Sequence, residues 1–195
     1  MHLTIYGDFN CPYSALASAR ADALLERGIA EVEWRAVEHD RNIPEPSAAV
    51  EGTLAAMLDR EVAEVRGLLR PGESFPINRP PVLPNTRQAV AAFAAAPWDD
   101  DDDTRRKLFA ALWRDGRDIG DPAELHELTG DGSAVSAPLV AAWRAAWVGH
   151  KRVVVPMLVL PDGYVSRGLG VLARLADLSA AGARRPVRWP ASVAT

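Results

Sequence analysis

One cysteine occurs in the chain, Cys11, and it stands in Asp8-Phe9-Asn10-Cys11-Pro12-Tyr13-Ser14, between a strand-like run and a helix-like one. A thiol at a helix N-terminus faces unpaired backbone N–H groups and the positive end of the helix dipole, and both favour the thiolate. The thiolate is the nucleophile, so this placement predicts sulfur chemistry. Pro12 fits the first helical position, where its missing N–H would be unpaired anyway. A two-cysteine redox site would carry its second thiol at position 14, where Ser14 stands. Oxidation of a dithiol within one molecule is therefore excluded, and a disulfide formed at Cys11 must be resolved by an external thiol.

Lowering a thiol pKa from ~8.5 to ~7 raises its thiolate fraction at neutral pH from a few per cent to about half. That shift needs ~2 kcal/mol, and a helix dipole supplies about 0.3–1 kcal/mol at exposed sites. The N–H groups of Tyr13 and Ser14, or the Ser14 hydroxyl, must provide the remainder. The plain alternative is that Cys11 is a small buried hydrophobe, since free cysteine is among the most buried residue types.

Neighbouring candidates each have a structural and a functional reading. Ser14 is a first-turn residue with a locally satisfied hydroxyl, or it stabilises the thiolate. Tyr13 covers the motif or stacks on a substrate, and an aromatic in an edge loop favours the second. Pro156 interrupts a Val-rich strand and removes a ladder donor, which an edge strand or a bulge explains. His39, followed by Asp40 and Arg41, reads as a solvated loop residue that at most borders a pocket mouth, and Cys plus His alone define no triad. Asn85 reads as a helix cap. The Asp99 to Asp103 run reads as a solvated helix start, with weak cation binding as the alternative. Trp113, Trp143 and Trp147 fall at helical core spacings and predict burial.

The elements that must position these residues follow from periodicity. His2 to Tyr6 predicts a buried strand closed by Gly7, and Pro12 to about Arg27 a helix with Leu16, Ala17, Ala21, Leu24 and Leu25 on its apolar stripe. Val32, Trp34 and Ala36 alternate with charged residues in a second strand, so the opening reads as a βαβ unit with parallel pairing. Helices follow at about 47–69, 86–96, 104–115, 121–128 and 137–147, and Pro71 to Pro84 predicts a loop without a regular element. Arg152 to Leu160 and Tyr164 to Arg167 predict a hairpin across Pro161-Asp162-Gly163, before a last helix from Gly168 to Leu178.

With 195 residues, 48% hydrophobic and 25% charged, the chain is of ordinary globular composition and long enough to bury a core. A net charge of -4 without a basic block argues against nucleic-acid binding. No apolar run approaches the ~18 residues of a membrane span. The chain opens on a strand rather than on a basic, apolar leader, which predicts no secretory signal. A lone cysteine suits a reducing cytoplasm, and without cysteine pairs or clustered histidines no metal site is expected.

The order β-α-β, helices, β-β-α, with Cys-Pro at the first helix and Pro in the third strand, resembles the thioredoxin fold with the helical insertion of its DsbA-like branch. Asp8 to Ser14, Asn85-Thr86-Arg87-Gln88-Ala89, Leu108 to Asp121 (LFAALWRDGRDIGD) and Val154 to Val159 are similar to the FrnE-type, 2-hydroxychromene-2-carboxylate isomerase and kappa-glutathione-transferase-like members. The resemblance covers roughly positions 3 to 180. It implies that residues 1–44 and 150–182 form a thioredoxin-like domain, 45–149 a helical insertion and 183–195 a tail. It further implies that Cys11 holds the nucleophile position, where isomerase and transferase members carry Ser. Pro156 then corresponds to a cis-proline beside the site, leaving the Val155 backbone free to pair with a peptide or glutathione, and Asn85 borders the substrate cleft.

The expected activity is thiol–disulfide exchange by a single thiol. Cys11 and Ser14 are its catalytic candidates, and Pro12, Tyr13, Asn85, Val155 and Pro156 its substrate-binding ones. Glutathione is the expected co-substrate, and the partner a thiol or disulfide substrate or a glutathione adduct. The alternatives are a glutathione-dependent isomerase or transferase and a non-catalytic peptide-binding module. Related folds often dimerise, so a homodimer stays open.

Overall fold

The computed structural model describes residues 1–97, 101–130 and 136–183. In β1 (His2–Gly7), Leu3 and Ile5 enter one apolar cluster and Tyr6 another, the alternation of a strand covered on both faces. α1 (Pro12–Glu26) carries the chain over to β2 (Glu31–Ala36), which pairs parallel to β1 with Ile5 opposite Trp34 and Gly7 opposite Ala36. The Trp34 indole crosses the end of β1, and a Cβ on Gly7 would collide with that ring, so glycine is required there.

The sheet is completed at the other end of the chain. β5 (Met157–Val159) pairs antiparallel with β1, and β6 (Val165–Arg167) with β5, giving the order β2-β1-β5-β6. α7 (Leu169–Ala183) then packs against α1, its Leu172 and Leu175 sharing a cluster with Leu3, Ile5, Leu16 and Leu24. The strand expected from Arg152 begins only at Met157, after Pro156, whose bond to Val155 is cis. The expected tail beyond Ala183 lies outside the described residues.

Between the sheet's two halves run α2 (Gly52–Gly67), α3 (Arg87–Ala95), α4 (Asp101–Trp113), α5 (Pro122–Thr129) and α6 (Ala137–Gly149). Leu58, Val62, Val90, Phe93, Leu108 and Leu112 from these helices join the cluster under the sheet, so one core holds both parts. On the sheet's other face Trp147 of α6 covers Tyr6 and Met157. Trp113 and Trp147 are buried as their spacing predicts, and Trp143 is partly buried. α5 starts as expected, with the Asp121 carboxylate accepting the Ala123 and Glu124 N–H groups ahead of Pro122. Asp101 to Asp103 form the first turn of α4, where negative charge faces the positive end of the dipole, while Asp99 and Asp100 lie outside the described residues.

One expectation fails in the middle of the chain. β3 (Ala48–Ala49), at the expected start of a helix, pairs antiparallel with β4 (Val82–Leu83), inside the Pro71 to Pro84 segment expected to hold no regular element. Pro81 and Pro84 flank this ladder without interrupting it, because the Pro81 carbonyl only needs to accept the Val50 N–H. The ladder also delays α2, which starts at Gly52 rather than near Ser47.

Candidate active site

Phe9 fixes the loop that carries the thiol. Its ring is fully buried, with the Phe93 and Phe109 rings at 5.9 and 4.9 Å between centroids. Its carbonyl accepts the Trp113 Nε1–H at 2.8 Å. Burying a side chain of this size stabilises by about 1.5–3 kcal/mol, so the loop is anchored one residue after Asp8 and two before Cys11. Cys11 is the extended N-cap residue of α1, with φ -102° and ψ 117°. Its N–H donates to the Asp8 carbonyl at 3.2 Å, and its carbonyl accepts the Ala15 N–H at 3.1 Å.

Cys11 as a residue is partly exposed, and its thiol donates a long hydrogen bond to the Val155 carbonyl, Sγ to O 3.9 Å. The expected fall in its pKa is overturned, because burial pushes the thiol up to about 11. The Ser14 hydroxyl and the N–H groups of Ser14 and Tyr13 do favour the thiolate, as anticipated, but desolvation outweighs them and the Asp8 charge adds to it. A dipole contribution of about 0.3–1 kcal/mol is too small to reverse that balance.

Asp8, in the Cys11 motif, has no expected role from its sequence context. It has no exposed surface, and its carboxylate accepts the Thr86 Oγ1–H at 2.7 Å and the His39 N–H at 2.6 Å. Burial raises its pKa to about 6 against the pull of these donors. The available signal was a carboxylate directly after an apolar strand, three residues before the thiol. Ser14, also fully buried, accepts the Asp8 N–H at 3.4 Å and so links Asp8 to the first turn of α1.

Two cavities meet beside the thiol. One, of about 370 Å³, is walled by Cys11, Pro12, Ile43, Met57, Leu58 and Leu83, with Glu61 and His39 among its polar groups. The other, of about 400 Å³, contains Glu64, Arg152 and Arg167 beside the start of α7. Tyr13, Val154 and Val155 border both. Tyr13 donates its hydroxyl to Glu64 Oε2 at 2.7 Å, and burial together with the two glutamates drives its pKa upward. His39, read as a solvated loop residue, is exposed and stands in the cavity wall, its ring edge-on to Trp147 at 6.1 Å.

Of the sequence candidates, Cys11, Pro12, Tyr13 and Val155 line these cavities, and Ser14 is buried beneath them. Pro156 is buried behind Val155, its carbonyl taken by the Gly168 N–H at 2.8 Å. Asn85 does not line the cavity beside Cys11. It is buried with its amide spent on the backbone, Nδ2 donating to the Ile43 carbonyl at 2.7 Å and Oδ1 accepting the Arg87 N–H at 3.0 Å. Its role is to hold the loop that presents Ile43. Among the described residues no group of three or more His, Cys, Asp or Glu is placed to hold a metal, and no helix is long and apolar enough to cross a membrane.

A cysteine at a βα junction, a cis-proline across from it and helices inserted between two halves of a four-stranded sheet define a class. The chain belongs to the family of DSBA-like thioredoxin domains, whose sequence model matches residues 2–135. Among solved structures it is similar to a 2-hydroxychromene-2-carboxylate isomerase, with a TM-score of 0.70 and 21% identity over 94% of this chain and 95% of that one. It is also similar to the cytosolic disulfide reductase DsbM of Pseudomonas aeruginosa, solved with GSH, with a TM-score of 0.69 and 20% identity over 92% and 96%. A probable DsbA oxidoreductase of Streptomyces coelicolor follows the same fold, with a TM-score of 0.64 and 18% identity over 98% and 94%. A sequence comparison with curated proteins gives no match.

Proposed function

We propose that the protein is a thiol–disulfide oxidoreductase with Cys11 as its single nucleophile and glutathione as co-substrate, acting in the cytoplasm. The observation that carries this reading is the Cys11 sulfur at the N-cap of α1, 3.9 Å from the Val155 carbonyl, at the meeting of two open cavities. The Cys11 thiolate attacks one sulfur of a disulfide, forming a new S–S bond while the displaced thiolate takes a proton from water. A glutathione thiolate then attacks the mixed disulfide, carries its outer sulfur away as a disulfide and returns Cys11 as thiolate. Each cycle consumes one external thiol and releases one, so no other electron donor is needed.

Ser14 and the N–H groups of Tyr13 and Ser14 stabilise the sulfur when it is charged. With a pKa of about 11 the thiolate is scarce at neutral pH, but a thiolate of high pKa is intrinsically the stronger nucleophile. Residues 45–149 shape the specificity side of the cleft, and residues 1–44 and 150–182 carry the reaction.

The protonated thiol favours a second reading. A neutral S–H at position 11 donates a hydrogen bond, so it serves to hold bound glutathione as its thiolate in an isomerase or transferase. Mass spectrometry after exposure to oxidised glutathione separates the two. Exchange yields one adduct at Cys11 that glutathione removes, and Cys11→Ser yields none and loses turnover. An unmodified protein whose Cys11→Ser variant keeps a glutathione-dependent isomerisation establishes the second reading instead.

A further inference from the structure

Between α1 and α4 lies a third cavity, of about 200 Å³, that shares no lining residue with the two beside Cys11. Its space comes from small residues on both helices, Ala15 and Ala19 of α1 and Ala110 of α4. The rest of its apolar wall is Phe109 and Trp113 of α4, with the partly buried Phe75 and Pro76 from the proline-rich loop. Phe109 and Trp113 also hold Phe9, by a ring contact at 4.9 Å and by the hydrogen bond to its carbonyl at 2.8 Å. An occupant therefore packs against the support of the thiol loop.

The polar groups that line this cavity are already engaged. Asp22 pairs with Arg105 at 2.7 Å and with Arg106 at 3.0 Å, Arg114 pairs with Asp115 at 2.7 Å, and the Ser18 hydroxyl accepts an Arg105 N–H. A cationic ligand would have to take Asp22 from two guanidinium groups. An anionic one would have to draw Arg106 or Arg114 from its carboxylate, and either would lose water on entry. An uncharged ring disturbs none of these pairs. An apolar cavity of about 150 Å³ is large enough to bind benzene, so this volume admits one ring with a short substituent. Aromatic rings also gain from edge-to-face contact beyond the area they bury. We infer that this cavity is a second ligand site, separate from the thiol, that takes a small uncharged molecule with one aromatic ring.

The test is an NMR titration of the nitrogen-labelled full chain at neutral pH with benzyl alcohol, cyclohexylmethanol, benzoate and benzylamine. The Trp113 Nε1–H is the reporter, because it is buried on the Phe9 carbonyl at the cavity wall. Benzyl alcohol is expected to shift it saturably. It should bind about threefold or more tighter than cyclohexylmethanol and at least about tenfold tighter than the two charged probes. Ala110→Leu and Ala19→Leu fill the space from opposite helices with a good helix former, and each is expected to abolish the saturable shift. No saturable shift in the native protein overturns the site. Equal affinity for benzoate or benzylamine overturns the uncharged ligand, and equal affinity for cyclohexylmethanol overturns the aromatic one. A shift that survives in both folded leucine variants, or that saturates at the Cys11 and Val155 amides with Trp113 unmoved, overturns the location.

Discussion

The His39 N–H donates to the Asp8 carboxylate at 2.6 Å, joining the end of β1 to the segment after β2 directly behind the thiol. Thr86, the N-cap residue of α3, fills the other carboxylate oxygen. A single buried acid therefore gathers three segments around Cys11, and its charge is felt by the sulfur.

Replacing that charge has two readouts. The folded protein raises the Asp8 pKa from 3.8 to about 6, so it binds this proton more tightly than the unfolded chain does. The resulting stability is fully present below pH 3.8 and is lost as pH rises through about 6. Denaturant unfolding of the wild type and Asp8→Asn at a series of pH values should show their difference drifting by about 3 kcal/mol in favour of Asn between pH 3 and 8. The same variant should move the alkylation profile of Cys11 to lower pH, and a profile left in place would remove Asp8 from the thiol's environment.

Cys11 itself should titrate late. With its pKa near 11, the rate of alkylation by iodoacetamide should climb about tenfold for each pH unit between 7 and 10. A plateau below pH 8 would overturn the desolvated thiol.

Ser14→Ala deletes a hydroxyl that favours the thiolate. A hydrogen bond of about 1 kcal/mol corresponds to roughly a fivefold slower alkylation at a fixed pH. Equal rates would reduce Ser14 to its bond with the Asp8 N–H.

Arg105 is fully buried between α4 and α1, where it donates to Asp102, to the Ser18 carbonyl and hydroxyl and, at 2.7 Å, to Asp22. Removing one partner of a buried charge cluster typically costs about 3–5 kcal/mol. Arg105→Leu should lower the unfolding free energy toward that range in denaturant melts. Arg105→Lys should recover only part, because a single ammonium cannot reproduce the fork.

What the sequence made legible was local or periodic. Val32, Trp34 and Ala36 announce the strand that pairs with Leu3, Ile5 and Gly7, and Asp121-Pro122 announces its helix. The motif around Cys11 fixed the place of the thiol but not the direction of its ionisation. That direction depends on burial of the sulfur, whose hydrogen-bond partner Val155 lies 144 residues away, and no local pattern encodes it. Asp8 escaped for the same reason, since its partners His39 and Thr86 lie 31 and 78 residues along the chain. Of the two cap candidates, Asn85 and Thr86, the N-cap is Thr86, while Asn85 precedes it, accepts the Arg87 N–H and holds the Ile43 carbonyl.

Trp113 closes the last turn of α4 and hydrogen-bonds the Phe9 carbonyl, so the helical half of the molecule grips the sulfur-bearing loop from behind. Any shift of α4 that moves that indole is therefore passed to the Phe9 carbonyl, two residues before Cys11. The sulfur-bearing loop and the inserted helices thus move as one piece.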